Sequence, residues 1–128
     1  MIIGIGTDIF LMSRISKDVI HEEDAFIKKA YTQKEREEAN HRENKHIFYA
    51  TRFCAKEAIY KAISSIEIEF KPGDIEILTD DNGKPHAFIH GKTKEKLDQL
   101  TNGKYKIHVS ISYDTEYASS FAIAEQYE

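Results

Sequence analysis

The chain has little cysteine and no long apolar run, and each shortage excludes a class of protein. Its single cysteine, Cys54, cannot form an internal disulfide. The first residues lack the basic stretch, apolar segment and small-residue cleavage site of a secretory signal. No apolar run approaches the roughly 20 residues that cross a bilayer. We therefore expect a cytoplasmic protein without a membrane partner.

The chain also lacks an excess of positive charge. The chain has 18 Lys and Arg against 22 Asp and Glu, a formal net charge of −4, which argues against nucleic-acid binding. Its 128 residues are 41% hydrophobic, enough for one buried core. The sequence therefore predicts a single domain over residues 1–128.

Residues 2 to 11 alternate in the way of a β-strand with two distinct faces. One face carries Ile3, Ile5, Thr7, Ile9 and Leu11, and the other carries Ile2, Gly4, Gly6, Asp8 and Phe10. Glycine inside a strand commonly marks the close approach of a ligand or of another backbone. Gly6 therefore suggests an open approach to the Asp8 carboxylate, although from spacing alone Asp8 could simply cap the next segment of the chain or stay solvated.

The helical signals vary in length. A short amphipathic helix is predicted from Arg14 to about His21, with Ser13 as its N-cap. Thr32 and Glu35 have the spacing of a capping box, which should open a charged helix on the surface. A further short helix is predicted over Thr93 to Leu100.

The longest periodic stretch, from about Glu43 to Ser65, predicts a central helix with one broad apolar stripe. Cys54 falls within the stripe and is expected to be a buried small hydrophobe rather than a nucleophile. Glu57 and Lys61 fall at its border, where a polar head can meet solvent or ligand. They could also form an ordinary intrahelical ion pair.

The second half of the chain is predicted to be rich in β-strands. Strands are predicted over Ile75 to Leu78 and Ala87 to Ile89, joined by the hairpin signal Asp80-Asp81-Asn82-Gly83. Two more strands are expected, one alternating from Tyr105 and one over Tyr117 to Ala124. The predicted fold class is α+β, with one long central helix packed on a mostly antiparallel sheet.

The best candidate chemistry combines Asp8 with Glu57 and Lys61. Mg²⁺ is usually held by one or two carboxylates, water and substrate phosphates, so an aspartate and a glutamate near a lysine suit a phosphate-handling site. The six histidines show no zinc-ligand spacing.

Five blocks of sequence together resemble one known family. They are Gly4-Ile5-Gly6-Thr7-Asp8-Ile9, Arg52-Phe53-Cys54-Ala55-Lys56-Glu57-Ala58 with Lys61, Asp74-Ile75-Glu76-Ile77, Gly83-Lys84-Pro85 and His108-Val109-Ser110-Ile111-Ser112. In this order they resemble the holo-acyl-carrier-protein synthases, which are 4′-phosphopantetheinyl transferases. The resemblance implies that fold, and transfer of the arm of coenzyme A to a serine of apo-acyl carrier protein, which releases adenosine 3′,5′-bisphosphate.

The resemblance also implies residue roles. Asp8 and Glu57 would ligate Mg²⁺, and Lys61 would stabilise charge on the displaced phosphate. Arg52 and Lys56 would hold coenzyme A phosphates, with the Gly83-Lys84-Pro85 turn near the adenine. The general base stays open between Glu57 and a water on the metal.

Assembly and docking are implied by the same resemblance. It implies a homotrimer whose active sites are shared between neighbouring subunits. A basic surface for the acidic carrier protein would include Arg14, Lys17, Lys28 and Lys29.

Two segments depart from the family pattern. Ser64-Ser65-Ile66-Glu67 stands where the family usually has a glycine-containing loop, and Tyr113-Asp114 stands where it commonly has His-Thr. An aspartate beside a phosphate is unfavourable unless it is turned away. These departures motivate one alternative, a catalytically idle coenzyme A-binding or assembly domain of the same fold.

Overall fold

The computed structural model describes residues 1–21 and 23–128. The strands are β1 (Ile2–Leu11), β2 (Ile75–Thr79), β3 (Pro85–Ile89), β4 (Tyr105–Tyr113) and β5 (Tyr117–Gln126). The α-helices are α1 (Ala25–Ala30), α2 (Gln33–Ala39), α3 (Lys45–Ala62) and α4 (Gly91–Thr101).

All strand pairs in the described residues are antiparallel. One sheet has the order β1-β5-β4, and β2 pairs with β3 in a separate hairpin. The inner face of the three-stranded sheet packs against α3, so the predicted α+β fold with a long central helix is confirmed. The predicted hairpin turn is also present, and Gly83 there adopts a φ of +82°, which favours glycine.

Helix α3 owes its position to its cap and to its buried stripe. The Asn44 side chain caps its first turn by accepting a hydrogen bond from Ile47 N at 3.1 Å. Its buried stripe is rich in alanine, including Ala55, Ala58 and Ala62. Small side chains on this stripe let the helix axis lie close to the sheet.

Gly4 and Gly6 bring the backbones of β1 and α3 into direct contact. A Cβ atom on Gly6 would lie 1.8 Å from Ala58 O, and one on Gly4 would lie 1.8 Å from Ala62 O. Of the two partners that a strand glycine could have, a ligand or another backbone, the structure shows the backbone of α3. The glycines therefore set how closely α3 approaches the strand that carries Asp8.

The prediction of a helix from Arg14 to His21 is wrong. The segment forms two 3₁₀ turns, Met12–Arg14 and Lys17–Val19, and the N-cap side chain is Ser16 rather than Ser13. Ser16 Oγ accepts a hydrogen bond from Asp18 N at 3.1 Å. A helix of so few residues is unstable without strong tertiary packing, and the serine offers a competing local bond.

The capping box at the start of α2 is confirmed, but the predicted surface position of the helix is only partly correct. Thr32 Oγ1 accepts from Glu35 N at 3.3 Å, and Glu35 Oε1 accepts from Thr32 N at 2.9 Å. Glu35 is fully buried, however, and forms an ion pair with Lys56 of α3 at 2.9 Å. This buried pair attaches α2 to the central helix.

Candidate active site

The structure brings Asp8, Glu57 and Lys61 together at the edge where α3 crosses β1. Lys61 Nζ lies 3.1 Å from Asp8 Oδ1 and donates to Thr7 O at 3.0 Å. The Glu57 carboxyl lies close enough to that of Asp8 for the Asp8 charge to raise the pKa of Glu57. The pair predicted from the sequence therefore converges within one chain, although 49 positions separate its members.

The intrahelical alternative for Lys61 is not what the structure shows. Its ion pair is with Asp8 on the neighbouring strand. The Lys61 side chain is 54% exposed, whereas that of Asp8 is 9% exposed. The ammonium group therefore lies on the open side of the site, where an incoming anion can reach it.

Two electrostatic features of the carboxylates favour a cation. Burial raises the pKa of Glu57, and the negative charge of Asp8 raises it further, while Arg14 and Lys61 oppose the shift. Asp8 Oδ2 is buried and has no hydrogen-bond partner among the described residues. A buried acceptor without a partner costs free energy unless a ligand satisfies it. This oxygen-rich donor pair fits Mg²⁺.

Cys54 lies behind Asp8 and is buried, as predicted. Burial is the main cause that raises the pKa of its thiol to about 12. The sulfur therefore stays protonated near neutral pH and is a poor nucleophile.

Most of the other predicted binding residues line a separate cavity of about 490 Å³. Arg52, Gly83, Lys84 and Pro85 all contribute to it, together with Arg42 and Tyr113. Arg42 and Arg52 share one carboxylate, that of Glu38, at 2.6 Å and 3.7 Å. Burial lowers the pKa of Arg52, and the charge of Arg42 lowers it further. The cavity has three cations around it, and its one nearby carboxylate, Glu38, pairs with the two arginines, so the cavity suits an anion.

The structure corrects the assignment of Lys56 to coenzyme A phosphates. Its side chain is 0% exposed. The ammonium group is held by Glu35, by the Pro72 carbonyl at 2.8 Å and by the Ile75 carbonyl. All three N–H donors are thereby used inside the protein. Lys56 therefore has a structural role and has no donor left for a coenzyme A phosphate.

Asp114 does not point into the cavity. Its Oδ1 accepts hydrogen bonds from Glu116 N at 2.8 Å and Tyr117 N at 2.7 Å, within the β4–β5 turn. These backbone donors lower the pKa of Asp114. The unfavourable charge that motivated the idle alternative is therefore turned away, and of the two neighbours only Tyr113 lines the cavity.

The sequence did not indicate Arg42 as a residue of the basic cavity, nor Arg14 as a neighbour of Glu57. Arg42 precedes α3 in a charged stretch, where no periodicity distinguishes it from a solvated side chain. The guanidinium of Arg14 lies 4.8 Å from the Phe10 ring centroid, and its charge lowers the pKa of Glu57. Phe10 shares the face of β1 with Asp8, which is the one signal that could have indicated this position.

Two structural features are missing from the described residues. No helix in residues 1–21 and 23–128 is both long and apolar enough to span a membrane. Within the same residues, no three His, Cys, Asp or Glu side chains form a metal-binding group. Any divalent cation at Asp8 and Glu57 would therefore complete its ligands with water or substrate.

The fold, the carboxylate pair beside a lysine and the basic cavity define an α+β enzyme of the kind that handles phosphate groups. Residues 4–122 match the family model described as the 4′-phosphopantetheinyl transferase superfamily. The chain belongs to this superfamily, and the resemblance found in the sequence is confirmed.

Individual relatives agree over nearly the whole chain. A holo-[acyl-carrier-protein] synthase of Fusobacterium nucleatum is 46% identical over 126 residues, covering 96% of this chain and 98% of its own. The crystal structure of a holo-ACP-synthase from Plasmodium yoelii has a TM-score of 0.81 and 34% identity, covering 100% of this chain and 98% of its own. A third similar structure is a "Chronobacterium ammoniagenes ACPS-CoA complex", with a TM-score of 0.81, 25% identity and 98% coverage of both chains.

Proposed function

We propose that this chain transfers the 4′-phosphopantetheine arm of coenzyme A to a serine hydroxyl of an apo-acyl carrier protein, releasing adenosine 3′,5′-bisphosphate. The observation that carries the proposal is the convergence of Asp8, Glu57 and Lys61 in a chain of this superfamily. The relatives' names and the coenzyme A complex support the same substrates.

We assign Mg²⁺ as the cofactor, held by Asp8 and Glu57. The donor pair fits, because Asp8 Oδ2 is buried without a partner and the two carboxylates repel each other. When bound, the ion would neutralise charge on the pyrophosphate and polarise the attacked phosphorus. The exposed ammonium group of Lys61 is placed to stabilise charge on the phosphate that leaves.

The proton of the attacking serine hydroxyl needs an acceptor. Either the Glu57 carboxylate or a water molecule in the site would accept it. The nearby guanidinium of Arg14 is placed to attract the acidic surface of a carrier protein toward Glu57. Lys17, Lys28 and Lys29 would extend this docking surface, although Lys28 is already paired with Glu23 at 3.2 Å.

The nucleotide end of coenzyme A would occupy the basic cavity of about 490 Å³ formed by Arg52, Gly83, Lys84 and Pro85. Its volume lies in the usual range for small-molecule sites. Arg52 and Glu57 are five residues apart on α3, so their side chains diverge by about 140° around the helix. The cavity and the carboxylate pair therefore open on different sides of α3.

This divergence supports a site completed by a second copy. The outer face of β1 and β5 exposes a continuous set of apolar side chains, which are Ile5, Ile9, Leu11, Tyr117 and Phe121. Exposed apolar patches of this kind mark protein interfaces. We propose a homotrimer through this face, in which the cavity of one subunit delivers coenzyme A to the carboxylates of its neighbour.

The direct test is mass spectrometry of an apo-acyl carrier protein incubated with this protein, coenzyme A and Mg²⁺. Wild-type protein should add the phosphopantetheine arm. Asp8→Asn and Glu57→Gln should each slow the transfer at least about 100-fold, because a metal site supplies several kcal/mol of transition-state stabilisation.

Glu95→Gln, which removes an exposed carboxylate from α4, is the matched control and should leave the rate unchanged. No mass gain with wild-type protein would refute the proposed transfer. Binding of coenzyme A without any turnover would support the idle alternative instead.

A further inference from the structure

A buried serine lies directly beside the carboxylate pair. Ser120 is opposite Asp8 in the β1–β5 register, so the two side chains share the face that packs on α3. Ser120 is 2% exposed. Its hydroxyl is too deeply buried to meet a substrate, and any influence on the reaction must act through its neighbours.

The neighbours of Ser120 are the two elements that carry the proposed metal ligands. Ser120 Oγ donates to the Cys54 carbonyl at 2.8 Å and lies 3.2 Å from Cys54 Sγ. The thiol in turn donates to the Asp8 carbonyl at 3.5 Å. Cys54 lies three residues before Glu57, on the adjoining turn of α3.

The contacts of Ser120 and the glycine contacts restrict different movements of α3 relative to β1. Gly6 limits how closely α3 approaches β1, but that contact is not directional. The position of α3 along the strands is set by directional hydrogen bonds, which are those of exposed Lys61 to Thr7 O and Asp8 and the buried one from Ser120 of β5 to Cys54. Because Mg²⁺ requires oxygen ligands at narrowly defined distances, sliding would separate Glu57 from Asp8 and weaken binding.

We propose that Ser120, assisted by the Cys54 thiol, is a positioning residue that sets the separation of Asp8 and Glu57 and thereby the affinity for a divalent cation. This role of Ser120 rests on the metal site of the proposed function. Groups that orient metal ligands from outside the ligand set typically change metal affinity or activity 10–100-fold when they are removed.

The test measures metal binding separately from turnover. Mn²⁺, which prefers similar oxygen ligands, is titrated into the protein with coenzyme A present, and free Mn²⁺ is measured by electron paramagnetic resonance. Ser120→Ala should raise the Mn²⁺ dissociation constant about tenfold. The Mg²⁺ concentration for half-maximal activity should rise by a similar factor, while KM for coenzyme A changes less than about twofold.

Thr101→Val is the matched control. Thr101 Oγ1 is also buried and also donates to a helix carbonyl, that of Leu97, at 2.8 Å, but it lies in α4. Loss of the Thr101 hydroxyl should lower the urea unfolding midpoint about as much as Ser120→Ala does, without changing the affinity for Mn²⁺. Equal Mn²⁺ affinities in wild type and Ser120→Ala would overturn the inference.

A second variant keeps the inference testable if Ser120→Ala does not fold. Cys54→Ala retains the carbonyl that accepts from Ser120 but removes the thiol contacts, and it should weaken Mn²⁺ binding about threefold, less than Ser120→Ala because a thiol is a weak donor. Unchanged binding in a well-folded Cys54→Ala would then refute the inference. Wild-type protein that fails to bind Mn²⁺, or Asp8→Asn that binds it normally, would instead refute the metal site itself.

Discussion

At the residue scale, Glu57 shows how a functional group opposes stability. Burial and the neighbouring Asp8 charge raise its pKa, so the folded state binds a proton at Glu57 more readily than the unfolded state does. The contribution of this group to stability is therefore fully present below the unfolded pKa and is lost as pH rises through the folded pKa. At neutral pH the ionised carboxylate works against folding.

Glu57→Gln should consequently be more stable than wild type near pH 7 in metal-free buffer, while losing activity. The gain should shrink as pH falls through the raised pKa of Glu57 and vanish below its unfolded value. Urea unfolding at a series of pH values measures this, with Glu95→Gln as the exposed control. A variant that is less stable than wild type at pH 7 would contradict the assignment.

At the element scale, the Lys56–Glu35 pair connects α3 to α2 and to the β2–β3 hairpin. Glu35 also accepts hydrogen bonds from Thr32 N and, at 3.0 Å, from Ile77 N. Burial lowers the pKa of Lys56, while the charge of Glu35 opposes the shift. Helix α2 also carries Glu38, which pairs with both arginines of the basic cavity. The Lys56–Glu35 pair thus supports the wall of the cavity without lining it.

Lys56→Met should therefore lower the free energy of unfolding by about 3–5 kcal/mol, because it leaves Glu35 buried without its cation. In the fraction that remains folded, KM for coenzyme A should change less than about twofold. Lys84→Glu, which reverses a charge inside the cavity, should show the opposite pattern, with a large rise in KM and little change in stability. If Lys56→Met were stable and had a strongly raised KM for coenzyme A, Lys56 would belong to the binding site after all.

At the scale of the whole molecule, one face of the sheet lacks a covering layer among the described residues. Ile9 is 71% exposed and Ile5 is 60% exposed, on the side of β1 that faces away from α3. Such exposure is unfavourable for an isolated chain, and association through this face would bury it. Since Arg52 and Glu57 diverge on α3, the same association would join the two halves of the site.

Mixing two impaired variants tests this shared site, at a coenzyme A concentration far below the raised KM of Lys84→Glu, where that variant alone has little activity. Glu57→Gln subunits keep the cavity, and Lys84→Glu subunits keep the carboxylate pair. If each site takes one half from each of two neighbouring subunits, equal mixing should restore about a quarter of wild-type activity. Sites built within single subunits would show no recovery. Ile9→Glu introduced into both variants should prevent recovery and reduce the oligomer seen by sedimentation.

Much of this fold could be predicted from the sequence because its elements are strongly patterned. β1, α3 and the hairpin turn at Gly83 follow from alternation, helical periodicity and turn chemistry. The contact between Asp8 and Glu57 is a tertiary contact, which local sequence patterns cannot establish. Its prediction therefore depended on the family resemblance. Lys56 was assigned to the phosphates from the family resemblance, which does not show whether a lysine reaches solvent or pairs with a buried glutamate.

The backbone contact between β1 and α3 has a consequence for mutational tolerance. Since only glycine hydrogens separate the strand from the Ala58 and Ala62 carbonyls, the spacing between these elements is independent of side-chain volume there. Repacking distant parts of the core can proceed without disturbing that spacing. Substitutions elsewhere in the core should therefore leave the separation of Asp8 and Glu57 unchanged. Any replacement of Gly4 or Gly6 would instead push α3 away from β1 and change that separation directly.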